Sequence, residues 1–225
     1  MRIVLAVCAG ALVLSGCSDP KKASNANFKK AIDAYLEKTP LCVNAPTSST
    51  KPAGQEKDAG AYPAYVATPT APAGQQLFAL NTRQFDALVK AGLLTARTGT
   101  IGFRDTWSMS QDTKKLAVKI YDLTDAGRKA LTKPADGGPF GNKFCYGTGQ
   151  VDEVTQFTEP SPAFGATVSS ASYTYHVKDQ AGWAGDPTVQ EAFPILKQAT
   201  GDKLQGKTEL VLTNNGWVDA RGSKL

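Results

Sequence analysis

Few side chains in this sequence are equipped for chemistry. There is one histidine, His176, and there are four cysteines, at positions 8, 17, 42 and 145. A hydrolytic triad needs a base beside its nucleophile and a third group to orient that base. His176 is the one imidazole. The alternation of Ser172, Thr174, His176 and Lys178 with Tyr173, Tyr175 and Val177 puts it on the polar face of a strand. No serine lies in a G-x-S-x-G turn. A serine–lysine pair stays open, because neighbours in space are not legible in a linear chain. Zinc takes three or four cysteine, histidine or carboxylate ligands at suitable spacing, and neither such a set nor an EF-hand loop occurs in the sequence. Asp152, Glu153 and Glu159 read as solvated charge, though a glycosidase-type pair drawn from the 20 acids stays open as well. The glycines at 137–149 and 182–185 match neither a P-loop nor a dinucleotide fingerprint. The expectation is a protein without cofactor or metal, and not an enzyme.

The cysteines divide once the N-terminus is read. Met1-Arg2 precedes an uncharged apolar run over residues 3–14. Its length is that of a signal-peptide core, well short of the roughly 20 residues that span a bilayer as a helix. The run ends in Leu14-Ser15-Gly16-Cys17. This resembles the lipobox of bacterial lipoproteins. The resemblance implies a signal peptide over residues 1–16, cleavage before Cys17, a diacylglycerol on the Cys17 sulfur and acylation of the new amine, a palmitate-type modification. A thiol suits the first step because its thiolate is a strong nucleophile. Two or three acyl chains then anchor the chain stably, where one chain is marginal. In lipoproteins of enteric-type bacteria, Asp directly after the cysteine favours inner-membrane retention. Here Ser18 follows and Asp19 comes one place later. The implied location is therefore the periplasmic face of a membrane, the outer membrane, with the lipid on Cys17 as the membrane contact.

With Cys8 in the signal peptide and Cys17 lipidated, Cys42 and Cys145 remain. The periplasm is oxidising, so the pair is expected to form a disulfide. Removing residues 1–16 leaves 209 of 225 residues, enough for one sizeable core or two small domains. Removing Arg2 from the 25 basic side chains leaves 24 against 20 acidic. The lysine pairs at 21–22, 29–30 and 114–115 are scattered, so no nucleic-acid partner is expected.

These groups must be positioned by local elements. Residues 17–27 read as a lipidated, flexible tether. Residues 28–38 carry Phe28, Ile32, Tyr35 and Leu36 on one helical face, with Asn25 or Asn27 as N-cap. Residues 44–74 are rich in proline and alanine and read as a long irregular loop, extended near 62–66. A helix is expected over 81–94 with Thr82 as its cap. Strands follow over 100–108 and 116–123, joined by a turn at 110–113, and Thr124 caps a short helix over 125–131. The run Leu123-Thr124-Asp125-Ala126-Gly127-Arg128, after a hairpin and the helix around Phe85, resembles the wing and following helix of winged-helix proteins. The resemblance implies fold alone. Residues 134–141 read as a connector. Strands are expected over 144–157 and 166–178, a helix interrupted by Pro194 over 188–198, and a closing hairpin at Asn214-Asn215-Gly216. Leu123–Gly127 and 212–216 share the pattern L-T-x-x-G, a faint internal echo.

The fold class expected is α+β, with helices packed on antiparallel strands as two small lobes, 28–133 and 143–225. Trp183, Tyr62 and Tyr65 are the candidate contact surface, Trp183 because its Ala-Gly-Trp-Ala-Gly setting reads as a loop. Trp107, Trp217, Tyr173 and Tyr175 are further aromatic candidates. Three functions stay open. One is a non-catalytic binding or structural lipoprotein whose partner is an envelope protein or polymer. Another is an immunity or inhibitor-type protein against a periplasmic toxin or hydrolase. The third is a hydrolase of unrecognised type, which would need His176 beside a Ser, Asp or Glu in a cleft.

Overall fold

The computed structural model describes residues 19–55, 62–104, 112–132, 141–163 and 165–223. Residues 1–18 with Cys17, Trp107, the tip of the turn at 110–111 and most of the connector at 134–141 lie outside the described residues. In chain order the elements are α1 (Asn25–Lys38), β1 (Leu41–Asn44), β2 (Ala64–Ala67), α2 (Gln75–Lys90), β3 (Leu94–Arg104), β4 (Thr113–Leu123) and α3 (Asp125–Ala130). They continue with β5 (Leu131–Thr132), β6 (Lys143–Phe157), β7 (Ser161–Ala163), β8 (Ala166–Lys178), α4 (Pro187–Ala192), α5 (Ile195–Ala199), β9 (Leu204–Thr213) and β10 (Gly216–Asp219). The class is α+β. All pairings are antiparallel. A seven-stranded sheet runs β1-β6-β8-β9-β10, with β5 beside β6 and β7 beside β8, and a three-stranded sheet runs β2-β4-β3.

The helix α1 opens the first lobe in sequence but packs on the large sheet. Its apolar stripe, Phe28, Ile32 and Leu36, meets Val151, Val154, Tyr173, Leu210 and Trp217. A stripe of this kind buries itself against whichever apolar face the topology brings near, and chain order does not say which. A second core crosses the connector. Leu88 of α2 and Tyr121 of β4 share it with Phe144 and Tyr146 of β6 and with Phe193 and Leu196. Phe85 stacks on Tyr121 with ring centres 4.5 Å apart. Asp86 accepts hydrogen bonds from the Tyr121 hydroxyl and from Lys119, both at 2.7 Å. Burial first, and the Asp86 bond second, push the Tyr121 phenol well above its ordinary pKa.

Several local details differ from the expected ones. The cap of α1 is Ser24, which accepts from the Asn27 amide, rather than Asn25 or Asn27. The helix α2 begins at Gln75, after a 3-10 turn at Pro72–Gly74, and Thr82 is buried inside it. The run Gln75 to Leu80 is made of good helix formers, so the helix extends through the residue expected to cap it. Residues 19–27, expected to belong to a flexible tether, are held by the fold. From Asp19 the chain is fastened to the body, because the Asn27 side-chain amide donates to the Asp19 and Lys22 carbonyls at 2.9 and 2.8 Å.

Thr124 caps α3 as read, accepting from the Gly127 amide at 3.0 Å. A Cβ on Gly127 would stand 2.0 Å from the Leu93 carbonyl oxygen, so close packing demands glycine there. The second L-T-x-x-G does something else. Thr213 donates to the Gly216 carbonyl at 2.7 Å and closes the β9–β10 hairpin. The echo is thus a helix cap in one place and a hairpin turn in the other, and not a structural repeat.

The described part of the long loop is fastened to the small sheet. Ser49 and Thr50 donate to the Tyr65 carbonyl, on the β2 edge, and Ala53 donates to Gly102, on the β3 edge. Residues 50–53 therefore run between the two edges of the small sheet, whose second face is turned away from α2. That face carries the buried Ile101, Val118 and Ile120. Such a strap also occupies edge strands that would otherwise offer free backbone groups.

Pro194 splits the helix over 188–198 into α4 and α5, and Asp186 caps the first part. Its carboxylate accepts from the Thr188 and Val189 amides at 2.7 and 3.3 Å. The Thr188 amide above all holds this carboxyl below the usual carboxylate range. A depressed folded-state pKa means stability that is present above the unfolded value of about 4 and is lost as the pH falls through the folded value. The melting temperatures of Asp186→Asn and wild type should therefore differ at pH 7 and converge below about pH 4. A difference that is constant from pH 7 to pH 2 would refute the assignment.

Candidate functional site

A concavity lies between α1 and the β9–β10 hairpin. The stripe Asn27, Ala31, Ala34 and Lys38 follows helical spacing, and its two alanines leave room above the sheet. Pro20, Trp217 and Val218 form the opposite wall, and the groove holds about 820 Å³. This is within the range of small-ligand clefts. Gly216 shapes one end with φ of +115°, and a Cβ there would stand 2.8 Å from the Pro20 carbonyl. The Trp217 indole donates to the Lys21 carbonyl at 3.0 Å, and its ring meets Phe28 edge-on at 4.9 Å. The floor and the entering chain are thus locked to each other.

The charged groups of the groove are Lys30, Lys38, Arg221 and Asp219. The Asp219 side chain is 1% exposed and grips Arg221 through both oxygens, at 2.9 Å to Nε and 2.6 Å to Nη2. Thr208 also donates to this carboxylate, at 3.0 Å, so the buried charge is well satisfied. Arg221 Nη2 donates in addition to the Tyr173 hydroxyl at 3.3 Å, and the guanidinium lies 4.3 Å from the centre of the Tyr35 ring. The Asp219 bonds raise the already high pKa of Arg221. Among the described residues, Arg221 Nη1 has no hydrogen-bond partner and neither Lys30 nor Lys38 joins an ion pair. The groove therefore presents two unpaired cations, Lys30 and Lys38, beside an Arg221–Asp219 ion pair.

The residues singled out from sequence lie elsewhere. Trp183 is half-buried in a 3-10 turn, its ring edge-on to Tyr146 at 6.2 Å. Tyr62 meets Phe144 edge-on at 6.2 Å and donates to the Pro46 carbonyl at 3.5 Å. Burial raises its phenol pKa. Tyr65 packs on the opposite face of the small sheet, against Ile101, Val118 and Ile120. Tyr65 thus packs apart from Tyr62 and Trp183, which both lie against the core shared by the two halves. The exposed large apolar side chains among the described residues are Leu77 and Leu80 of α2 and Ile195 of α5.

A bulge in β6 turns Asp152 towards His176, and its carboxylate bonds the His176 Nδ1 at 2.6 Å. Both side chains are about 40% exposed, and neither lines the groove. No hydroxyl or thiol bonds the other ring nitrogen among the described residues. This is a base with an orienting partner but no nucleophile beside it. Among the described residues no three His, Cys, Asp or Glu side chains gather as a metal site. No helix there is long and apolar enough to cross a membrane.

The sequence gives Tyr35 only as part of a helix face and Gly216 only as a turn residue, and it singles out neither Asp219 nor Arg221. The one legible signal was the 27, 31, 34, 38 spacing with small residues in its middle. No family model, curated protein or solved structure matches the chain.

Proposed function

We propose that this protein is a lipid-anchored lipoprotein on the periplasmic face of a bacterial membrane, the outer membrane, with a non-catalytic binding role and the α1–hairpin groove as its binding site. The observation that carries the binding role is the groove itself, with apolar walls, unpaired cations on its rim, and the Asp152–His176 pair outside it. The Leu14-Ser15-Gly16-Cys17 motif supports the address. The bonded Cys42–Cys145 pair suits an oxidising compartment. We read α2, β3, β4 and α3 as a winged-helix-like unit that serves as scaffold. Its helix–hairpin–helix order and the Thr124 cap support that reading.

The test combines fractionation with crosslinking in the native envelope. Wild type should sediment with membranes, and Cys17→Ala should lose the lipid and its lipid-dependent processing. A photocrosslinker at Ala34, on the groove wall, should give a discrete adduct, while one at the exposed Thr98 of β3 should not. Identical membrane association and processing of wild type and Cys17→Ala would sink the anchoring reading. Absence of any Ala34-specific adduct would sink the binding site.

A further inference from the structure

We infer that the groove's ligand is the anionic phospholipid surface of the membrane that holds the chain, so that α1 and the β9–β10 hairpin face the bilayer. This deepens the proposed function and rests on lipidation of Cys17. The first argument is reach. Pro20 is part of the groove wall and stands three positions after Cys17. Three residues span at most about 10 Å even when fully extended. The headgroup layer is itself roughly 5–8 Å deep on each side of the hydrocarbon. Because the chain is fastened to the body from Asp19 onward, there is no long tether to carry the groove away from the surface.

The second argument is charge. Lys30 and Lys38 stand unpaired on the rim, Arg221 keeps Nη1 free, and Lys21 and Lys22 are exposed on the entering segment. Cations within a Debye length of an anionic leaflet are attracted to it, additively and in a salt-dependent way. Between them the groove offers small apolar walls and the Tyr35 ring, an amphipathic side chain suited to the headgroup level. A phosphate at Arg221 Nη1 with an acyl shoulder over Ala34 matches both features.

The test uses the lipidated protein reconstituted in vesicles, with a fluorophore on Ala34→Cys or, as control, on Thr98→Cys. The vesicles are phosphatidylglycerol with phosphatidylcholine, or phosphatidylcholine alone, each doped with a headgroup nitroxide lipid. The mass of the Cys17 peptide is read on the same preparation. In anionic vesicles the Ala34 probe should be quenched at least about threefold more than the Thr98 probe. That excess should collapse in phosphatidylcholine, in high salt, and in Lys30→Glu/Lys38→Glu, whose acylation is unchanged, as expected for loss of two surface cations. Equal quenching at both sites, or an excess indifferent to lipid charge and to the lysine reversals, would overturn the inference. So would an Ala34 probe that lipid leaves unquenched but added envelope protein or glycan shields. An unacylated Cys17 peptide would overturn the anchoring reading instead, a result the quenching arms do not produce.

Discussion

Phe28→Ala is expected to cost about 3–5 kcal/mol, the usual loss for emptying a fully buried phenylalanine site. Phe28 is 0% exposed, and its ring meets Phe157 and Trp217 edge-on, each at 4.9 Å. It is the side chain through which α1 holds both β6 and β10. The aromatic contacts add to the area that is lost, and the backbone cannot close the void easily because the Trp217 indole is tied to Lys21. Urea denaturation of wild type, Phe28→Leu and Phe28→Ala would read the effect, with leucine falling between the other two. Hydrogen exchange over residues 25–38 should rise more than over β3 and β4. A loss below about 1 kcal/mol would mean that α1 is not held to the sheet by this residue, and the groove described above would lose its wall.

Replacing both Cys42 and Cys145 by alanine is the second large effect, about 2–4 kcal/mol. The two residues pair directly across β1 and β6 with a sequence separation of 103. Closing so long a loop removes much freedom from the unfolded chain. In the folded state the bond ties a four-residue edge strand to β6, where Val43 enters the core shared by both halves. The melting temperature should fall by roughly 5–15 °C under oxidising conditions. The same measurement in reductant supplies the control, because reduced wild type and the double variant should then melt together. If wild type melts at one temperature in both conditions, the bond contributes nothing to stability.

Several elements were legible before any coordinates. The period-2 run of β8 and the Thr124 cap are local patterns, each set by a few adjacent side chains. The Asn-Asn-Gly turn is another, because backbone conformation there is decided within the turn. Thr82 shows where local reading misleads, since a good capping residue is simply buried when helix formers continue upstream. Trp183 shows the same for exposure. Its glycine-flanked setting reads as a loop, yet Tyr146, distant in sequence, covers one side of it.

The amino-acid order alone determined the Leu14-Ser15-Gly16-Cys17 run, the α+β class, the Cys42–Cys145 pair and the apolar stripe of α1. Each rests on residue type and short spacing. Tertiary structure alone decided that α1 lies on the large sheet, that residues 50–53 link the two edges of the small one, and that Asp219, Arg221, Tyr35 and Pro20 meet in one groove. Those contacts join residues up to about 200 positions apart, as the Trp217–Lys21 bond does. Such pairs become neighbours only through the packing of whole sheets and helices, and no local pattern encodes their meeting.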